Sequence, residues 1–383
     1  MAPARILIGL AVGPGRDAVD AALLRIAGTG LTMTPRVEFA VHHPLPSDAR
    51  SAADPRGLGD ALAVAVRHLA SKAGIDLRDV LAVGLHVPPG DRAAAAAEWL
   101  SDRTGVTVAT GFADRDAAAG GCGSFISPAA DYLLCRAETE DRLLVQLGPV
   151  TSVLLIPAGG KVTALVGFEA GPGTALLDAI AYHGSRGRDP HDPGGTRAVQ
   201  GKCLDELLAA WLARPYLSRK PPKAVPPGEF GEAFLSAAFD AARAAGATLN
   251  DLLCTATHFA ARCVGAGCRR FVPPGATPRA IYVGGDGVRN GFLWQVLRQQ
   301  FPGEDPRKLD AAGVPALARE AAAAAVLTAL TLDGVTGNLP LLTGASGGRL
   351  VGRFVPGDPR NWALVTAWAV EQLFDYLQFT RAA

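Results

Sequence analysis

Four acidic residues lie beside glycine-rich segments, a combination typical of sites that bind phosphate or a metal ion. The acidic residues are Asp17, Asp20, Glu169 and Asp286, and the glycine segments are residues 13–15, 148, 171–173 and 284–287. Backbone N–H groups of glycine turns can hold phosphate oxygens, while carboxylates can bind Mg²⁺ or accept a proton. Each segment alone can also be an ordinary turn at a strand end. Four together favour a nucleotide site.

Glu169 is the acidic residue with the clearest chemical interpretation. It ends the apolar run 164–168 and directly precedes a Gly-Pro-Gly segment that opens a helical stretch. A carboxylate at such a position can face a cleft and act as a general base. The alternative for Glu169 is a solvated strand end, and for Asp17 and Asp20 it is an ordinary turn or hairpin position.

The other polar residues give weaker signals. His86 ends the apolar run 80–85 and can reach a cleft, but a strand-end histidine without a role is equally consistent. The six cysteines form no CxxC pair and are interpreted as buried, reduced thiols. A basic segment holding Arg214, Arg219, Lys220 and Lys223 is interpreted as a solvated loop face rather than an anion clamp.

The candidate site residues must be held in place by helices and strands. The apolar runs show the same strand–turn–strand arrangement twice along the chain. Residues 5–12 run into a glycine turn and a returning run at 19–26; residues 142–147 repeat this plan, with returning runs at 152–156 and 162–168. The repeat predicts two similar α/β domains that face a cleft.

Helical periodicity follows each set of strands. The predicted helices are 58–72, 92–103, 174–182, 204–213, 230–244, 249–264, 291–300 and 316–332. Residues 279–283 form a strand that enters GGDGVRN before a helix, a common nucleotide-binding arrangement. The last helix is predicted to start with Asp358 as N-cap and Pro359 in its first turn. Residues 184–199 and 219–228 are predicted loops.

Composition limits the class of protein. The 383 residues are 49% hydrophobic and 19% charged, which excludes a disordered chain. The net charge is +1, so no bulk field favours nucleic acid or an anionic membrane, and no apolar run is long enough to cross one. We therefore expect a cytoplasmic protein without nucleic-acid or membrane partners.

Taken together, several motifs resemble those of the anhydro-N-acetylmuramic acid kinase family, part of the actin-like ATPase and sugar-kinase superfamily. The most specific is GNLPLLTGAS at 337–346, followed by VGRFVPG. The others are DAAAGGCG at 116–123, GPVTS at 148–152, EAGPGT at 169–174, PPK at 221–223 and GGDGVRN at 284–290. The resemblance covers nearly the whole chain, in the same order.

The resemblance implies a fold and a reaction. The fold is a two-domain actin-like ATPase (ribonuclease H-like) α/β fold with a cleft between the domains, divided into residues 1–118 with 350–383 and residues 119–349. The reaction is hydrolysis of the anhydro ring of a murein-derived amino sugar, coupled to transfer of the γ-phosphoryl group of ATP to O6. ATP and Mg²⁺ are the implied cofactors, the amino sugar is the small-molecule partner, and a homodimer is compatible with this assignment.

The resemblance also assigns roles to residues. Glu169 is the implied base, and Asp17 and Asp20 are the implied Mg²⁺ ligands. The implied ATP-binding residues are Gly13, Gly15, Arg16, Asp17, Asp20, Gly148, Ser152, Gly171, Gly173, Gly284, Gly285, Gly287 and Asn290. The implied sugar-binding residues are His86, Asp116, Gly121 and Gly123.

The chain departs from the family at polar positions. Residues 12–18 replace SGTSxDG and lack its three hydroxyl side chains, GPVTS replaces GGIAN, and EAGPGT replaces DTGPGN, which puts Glu169 where the family has aspartate. HVPP at 86–89 replaces HGQT, and GFA at 111–113 replaces DFR. The sequence therefore leaves a second hypothesis open, a catalytically impaired homologue that keeps the fold for ligand sensing or protein binding.

Overall fold

The computed structural model describes residues 4–13, 17–46, 54–87, 91–276 and 278–382. The chain divides into two compact units, each with its own β-sheet. Unit 1 contains Met1–Arg136 and Gly313–Ala383, and unit 2 contains Ala137–Ala312. Residues 119–136 and 313–349 therefore belong to unit 1, whereas the sequence analysis assigned them to the second domain.

Unit 1 combines a mixed sheet with seven α-helices among its described residues. Its strands are β1 Arg5–Val12, β2 Ala18–Ala27, β3 Thr34–Pro44, β4 Val80–His86, β5 Val108–Thr110 and β11 Arg353–Val355. Its helices are α1 Pro55–Ala73, α2 Asp91–Thr104, α3 Phe112–Ala118, α4 Pro128–Cys135, α11 Arg319–Leu332, α12 Pro340–Thr343 and α13 Pro359–Ala382. The strand order is β11-β5-β4-β1-β2-β3, with β1, β4 and β5 parallel and β2 antiparallel to both of its neighbours.

Helix α11 packs directly on the sheet of unit 1, which explains why the segment belongs there. A Cβ added to Gly9 would lie 1.7 Å from the carbonyl oxygen of Ala321, and one added to Gly84 would lie 2.4 Å from that of Ala324. Only glycine permits so close an approach of helix and strand. On the opposite face, alternate residues of β1 and β2 form an apolar core with α1 and α2.

Unit 2 repeats the arrangement. Its strands are β6 Arg142–Leu147, β7 Val150–Ile156, β8 Val166–Pro172, β9 Ala280–Gly284 and β10 Arg307–Lys308. Its helices are α5 Thr174–Gly184, α6 Asp205–Leu212, α7 Pro215–Ser218, α8 Glu232–Ala244, α9 Leu249–Phe271 and α10 Gly291–Arg298. The order is β10-β9-β6-β7-β8, with β6, β9 and β10 parallel and β7 antiparallel to its neighbours.

The two sheets have one topology. Unit 2 has the order β8-β7-β6-β9-β10, and unit 1 has β3-β2-β1-β4-β5 with β11 added at the edge. In each, a hairpin precedes a parallel crossover, which is the ribonuclease H-like arrangement. The α/β fold class and the internal repeat predicted from the sequence are confirmed.

Most predicted helices and strands are present, with one informative error. The strand predicted at 162–168 lies instead at Val166–Pro172, so Glu169, Gly171 and Pro172 belong to β8 rather than to a loop after it. β8 is an edge strand, where proline is tolerated because one side of the strand needs no sheet hydrogen bonds.

The N-cap of α13 is as predicted: the Asn361 N–H donates to the Asp358 carboxylate over 2.8 Å.

Two further features test predictions made from composition: the length of the apolar helices and the state of the cysteines. Within the described residues, no helix combines the length and apolar character needed to span a membrane. Among the described residues no two cysteines form a disulfide; Cys135, Cys254 and Cys263 are buried as expected, whereas Cys122, Cys203 and Cys268 are partly exposed. Burial raises the pKa of the Cys254 thiol to about 11, so this residue is a thiol rather than a thiolate at neutral pH.

Candidate active site

In unit 2, four residues on adjacent strands lie opposite one another and form a row across the sheet. Gly284 of β9 is opposite Gln146 of β6, Gln146 is opposite Ser152 of β7, and Ser152 is opposite Glu169 of β8. Directly opposed residues point to the same face of a sheet. The row therefore brings together three residues predicted from the sequence, Gly284, Ser152 and Glu169, and adds Gln146.

A β-bulge lies beside Glu169. Ser152 pairs with Glu169 and Thr151 pairs with Gly171, so Ala170 is the extra residue of β8. Bulges re-aim side chains and are frequent next to active sites. This bulge, together with Gly171 and Pro172, determines the course of β8 after Glu169.

The carboxylate of Glu169 is buried and held by a main-chain donor. Glu169 is 4% exposed, and its Oε2 accepts a hydrogen bond from the Val225 N–H over 2.6 Å. Its main-chain N–H donates to the Lys223 carbonyl over 3.3 Å, and its carbonyl accepts from the Tyr216 hydroxyl over 2.6 Å. Glu169 is therefore an ordered, buried residue, and the interpretation as a solvated strand end is wrong.

The segment that supplies Val225 was predicted to be a solvated basic loop. Residues 219–228 contain no helix or strand, as predicted. Lys220 is exposed, but Lys223 is only 4% exposed, and Arg214 is paired with Glu229 at 2.8 Å. The interpretation as a solvated face is thus wrong for Lys223.

The Gly148 turn and the start of α5 pack against each other. Gly148 and Pro149 connect β6 to β7, and the N–H groups of Gly173 and Thr174 donate to the carbonyls of Pro149 and Gly148 over 3.0 and 2.8 Å. A Cβ on Gly173 would lie 2.1 Å from the Gly148 carbonyl oxygen. The predicted ATP-binding residues Gly148, Gly171 and Gly173 therefore lie in one compact corner, and these two N–H groups bind protein carbonyls.

The glycine loop after β9 lies against the end of β6. Gly285 has φ +89°, and a Cβ there would lie 2.6 Å from the Leu147 carbonyl oxygen; one on Gly287 would lie 2.6 Å from the Leu147 Cβ. Asn290 caps α10, because its Oδ1 accepts from the Leu293 N–H over 2.9 Å. Asn290 thus has a structural role, and its contact with a nucleoside stays a prediction.

Unit 1 carries an equivalent row of residues. His86 of β4 is opposite Ala11 of β1, Ala11 is opposite Asp20 of β2, and Asp20 is opposite His42 of β3. Asp20 therefore occupies the position that Ser152 has in unit 2, and its Oδ1 accepts from the His42 Nδ1 over 2.8 Å.

The first glycine turn is only partly described. Gly13 follows β1 directly, with open space around the position of a Cβ, and Asp17 is exposed just before β2. Gly15 and Arg16, which were predicted to bind ATP, lie outside the described residues.

The carboxylates of unit 1 are compatible with Mg²⁺ bound together with phosphate. No group of three or more His, Cys, Asp or Glu side chains suited to a metal occurs among the residues that the structure describes. Mg²⁺ in phosphoryl-transfer sites uses one or two carboxylates, substrate phosphates and water, so a cluster of three is not required. The exposed Asp17 fits this donor set, whereas Asp20 would share its carboxylate with His42.

Asp116 lies in the core of unit 1 rather than on its surface. It is 0% exposed; Oδ2 accepts from the Gly123 N–H over 2.9 Å, and Oδ1 accepts from Asn338 Nδ2 over 2.8 Å and Thr343 Oγ1 over 2.7 Å. Gly121 packs against the same carboxylate, since a Cβ there would lie 2.2 Å from Oδ2. Asp116 therefore joins the 116–123 and 337–346 motifs, and any effect on a sugar would pass through the loop that it holds.

Replacing Asp116 by asparagine should lower the free energy of unfolding by about 1.5–3 kcal/mol, since an amide NH₂ would face a buried donor. Urea unfolding followed by circular dichroism measures this loss. The exposed Asp114 lies on the same helix, and Asp114→Asn is the matched control, for which we expect little change. Equal stability of the two variants would contradict the structural role of Asp116.

Sequence reasoning missed three contributors to these sites. Gln146 could have been found, because it is a polar residue inside the apolar run 142–147. His42 and Val225 carried no local signal, since they meet Asp20 and Glu169 only through sheet pairing and a distant loop.

The chain is similar to known kinases over most of its length. The sequence profile of the anhydro-N-acetylmuramic acid kinase family matches residues 56–357. The anhydro-N-acetylmuramic acid kinase of Gloeobacter violaceus is 31% identical over 379 residues, covering 92% of this chain and 97% of that protein. The anhydro-N-acetylmuramic acid kinase of Salinibacter ruber is 32% identical over 387 residues, covering 92% of this chain and 97% of that protein.

Among solved structures, component A of (R)-2-hydroxyglutaryl-CoA dehydratase from Acidaminococcus fermentans matches with a TM-score of 0.43 and 11% identity. The match covers 84% of this chain and 96% of that one. From the family profile and the two relatives, the chain belongs to the anhydro-N-acetylmuramic acid kinase family.

Proposed function

We propose that this chain is an ATP-dependent kinase that hydrolyses the anhydro ring of 1,6-anhydro-N-acetylmuramic acid and phosphorylates O6. Membership of the kinase family supports this proposal. The single structural observation that carries it is the buried Glu169 carboxylate, which lies beside a bulge in a row with Ser152 and Gln146.

Glu169 would act as the general base. Its carboxylate would take one proton from the attacking water while the hydroxyl adds to C1 of the sugar. The C1–O6 bond then breaks, and O6 forms a bond to the γ-phosphorus as the bond to ADP breaks. The Val225 N–H, donating over 2.6 Å to Oε2, would hold the carboxylate in a fixed orientation before the proton arrives.

The glycine segments and polar residues would bind the nucleotide. Gly148, Ser152 and Gln146 would contact phosphates or an associated water, and Gly284, Gly285 and Gly287 would lie against the nucleoside. Mg²⁺, when bound, supplies positive charge that stabilises the transferring phosphoryl group. Asp17 and Asp20 would hold it, and His86 and the loop fixed by Asp116 would contact the sugar.

A catalytically impaired homologue is the second candidate. Two observations favour it: the N–H groups of Gly173 and Thr174 are bonded to protein carbonyls, and the Asp20 carboxylate is bonded to His42. Both features reduce the donors and ligands that remain for phosphate and metal. Such a protein would bind a ligand or a partner without turnover.

Product formation separates the two candidates. We expect ³¹P NMR to show a new phosphomonoester when the protein, Mg-ATP and 1,6-anhydro-N-acetylmuramic acid are combined, and none when the sugar is left out. Mg-ATP at millimolar concentration should also raise the thermal unfolding midpoint, because a ligand that binds only the folded state stabilises it. Absence of both effects would reject the kinase proposal and support the impaired homologue.

A further inference from the structure

Lys223 is a buried lysine that the proposed reaction does not use directly. The residue is 4% exposed, and buried lysines are rare unless their charge is compensated. Its ammonium group lies 4.5 Å from the ring centre of Tyr216, 5.1 Å from that of Phe271 and 5.7 Å from that of Phe168. Nζ also donates to the Leu217 carbonyl over 3.4 Å. We call these three rings the aromatic cage.

The aromatic cage joins separate parts of unit 2. Phe168 lies on β8, Tyr216 on α7 and Phe271 at the end of α9. The Phe168 and Phe271 rings are in edge-to-face contact, with centroids 5.3 Å apart. A cation over aromatic faces is stabilised most where water is excluded, as it is here. The Lys223 side chain therefore fixes its loop to three elements at once.

The same loop makes the polar contacts described for Glu169. The Lys223 carbonyl accepts from the Glu169 N–H, and the Val225 N–H, two residues further on, donates to the Glu169 carboxylate. Tyr216 contributes to both sets of contacts, since its ring faces the ammonium group and its hydroxyl donates to the Glu169 carbonyl. Residues 223–225 and Tyr216 therefore contact both Glu169 and the aromatic cage.

We propose that Lys223 is a positioning residue for Glu169: the caged ammonium group anchors residues 223–225 and thereby holds the Val225 N–H on the Glu169 carboxylate. The catalytic consequence rests on the proposed function, in which Glu169 is the base. A donor that is held in place favours the ionised carboxylate and fixes its orientation. Loss of the anchor would release the donor while leaving Glu169 itself in the chain.

The charge state of Lys223 agrees with this role at neutral pH. Burial lowers the pKa of Lys223 to about 8, and the positive charges of Arg270 and Arg219 act in the same direction. Two other titratable residues lie beside it: Tyr216, whose ring faces the ammonium group, and Cys263. Burial raises the pKa of each, so both are neutral. At pH 7 the side chain is therefore an ammonium group surrounded by aromatic rings.

The first test is the exchange rate of the Val225 amide, which needs no enzymatic activity. Lys223→Met keeps an unbranched side chain in the cage but removes the charge. We expect its Val225 amide to exchange at least about tenfold faster than in the parent, because the loop opens locally. Lys220→Met, at an exposed lysine of the same segment, is the matched control and should leave exchange unchanged. A folded Lys223→Met variant with unchanged exchange overturns the proposal.

The second test uses turnover. Misplacement of a catalytic group on the order of 1 Å costs about a hundredfold in rate, so we expect kcat of Lys223→Met to fall about ten- to a hundredfold. KM for ATP and sugar should change less than about twofold, because binding contacts are kept. A fall in kcat with little change in KM is the signature of a misplaced catalytic group rather than of lost binding.

A purely structural lysine would give a different result. Thermal stability would fall, but kcat of the remaining folded protein would not change, and this outcome overturns the proposal. If Lys223→Met does not fold, Phe271→Leu removes one ring of the cage and should speed Val225 exchange in the same direction. If the parent protein has no turnover, the proposed function fails, while amide exchange still tests the anchor.

Discussion

Glu169→Gln is expected to lower the rate of phosphoryl transfer by about 10²–10⁴-fold, the usual contribution of a general base. Glutamine has the size of glutamate and can still accept the Val225 N–H through its carbonyl oxygen, so the fold and the loop contact should survive. Its amide cannot take a proton from water. The variant therefore removes the proposed chemistry with little change in structure.

Three measurements define this result. Single-turnover kinetics by ³¹P NMR or a coupled ADP assay give the rate, the thermal midpoint checks the fold, and Mg-ATP titration checks binding. Glu206→Gln, at an exposed position of α6, is the matched control and should have parental activity. Parental activity in Glu169→Gln as well would show that another group is the base.

Glu169→Asp tests whether activity depends on the position of the carboxylate, because it keeps the charge and shortens the side chain. Aspartate is the residue of the family motif, and it is shorter by one methylene, about 1.5 Å. Because Oε2 of Glu169 lies 2.6 Å from the Val225 nitrogen, shortening the side chain would draw the carboxylate away from its donor. We expect activity between that of the parent and Glu169→Gln. Higher activity than the parent would mean that glutamate impairs this site.

The repeated hairpins were predictable because each strand pattern is local. An apolar run, a glycine turn and a returning run specify β1 with β2 and β6 with β7 without any tertiary information. Most of the α-helices were found for the same reason, from their 3.6-residue periodicity, whereas the short helices α3, α4, α7 and α12 were not. The similarity of the two units followed from the repeat, since two copies of one hairpin suggested two similar α/β domains; the order of the strands was not predicted.

The errors arose where long-range contacts override local signals. Gly171 and Pro172 have the composition of a turn, yet they pair with Thr151 and Val150 at a sheet edge and extend β8 past Glu169. Lys223 lies in a proline-rich, basic segment that looks solvated, and its burial depends on Tyr216 together with two rings from distant segments, Phe168 and Phe271. Asp116 likewise meets Asn338 and Thr343, which are more than 200 residues away.

A second large effect is expected in the core of unit 1, where Arg319 and Asp131 form a buried ion pair. Arg319 begins α11 and Asp131 lies on α4, and their exposures are 7% and 1%. Arg319 Nε donates to Asp131 Oδ1 over 2.8 Å, Nη2 donates to Oδ2, and Nη2 also donates to Ser127 Oγ over 2.8 Å. A cation at a helix N-terminus is unfavourable by itself, so its partner explains why arginine is accommodated there.

Arg319→Met should reduce the free energy of unfolding by about 3–5 kcal/mol, because it leaves a carboxylate buried without its counter-ion. Urea unfolding of the full chain, followed by tryptophan fluorescence and by circular dichroism, measures the loss. The double variant Asp131→Leu with Arg319→Met removes both charges and should recover most of the stability. If the double variant is as unstable as Arg319→Met, packing around the arginine side chain, rather than its charge, accounts for the loss.

The pH dependence of that loss provides a separate check on its cause. Burial already raises the pKa of Asp131 in the intact protein, and removal of Arg319 would raise it further. A carboxyl whose pKa is higher in the folded than in the unfolded state binds more protons when folded, so its contribution to stability decreases as pH rises above the unfolded value. The deficit of Arg319→Met relative to the parent should therefore be smaller at pH 5 than at pH 8. A deficit of equal size at both pH values would mean that the buried carboxyl is not the origin of the instability.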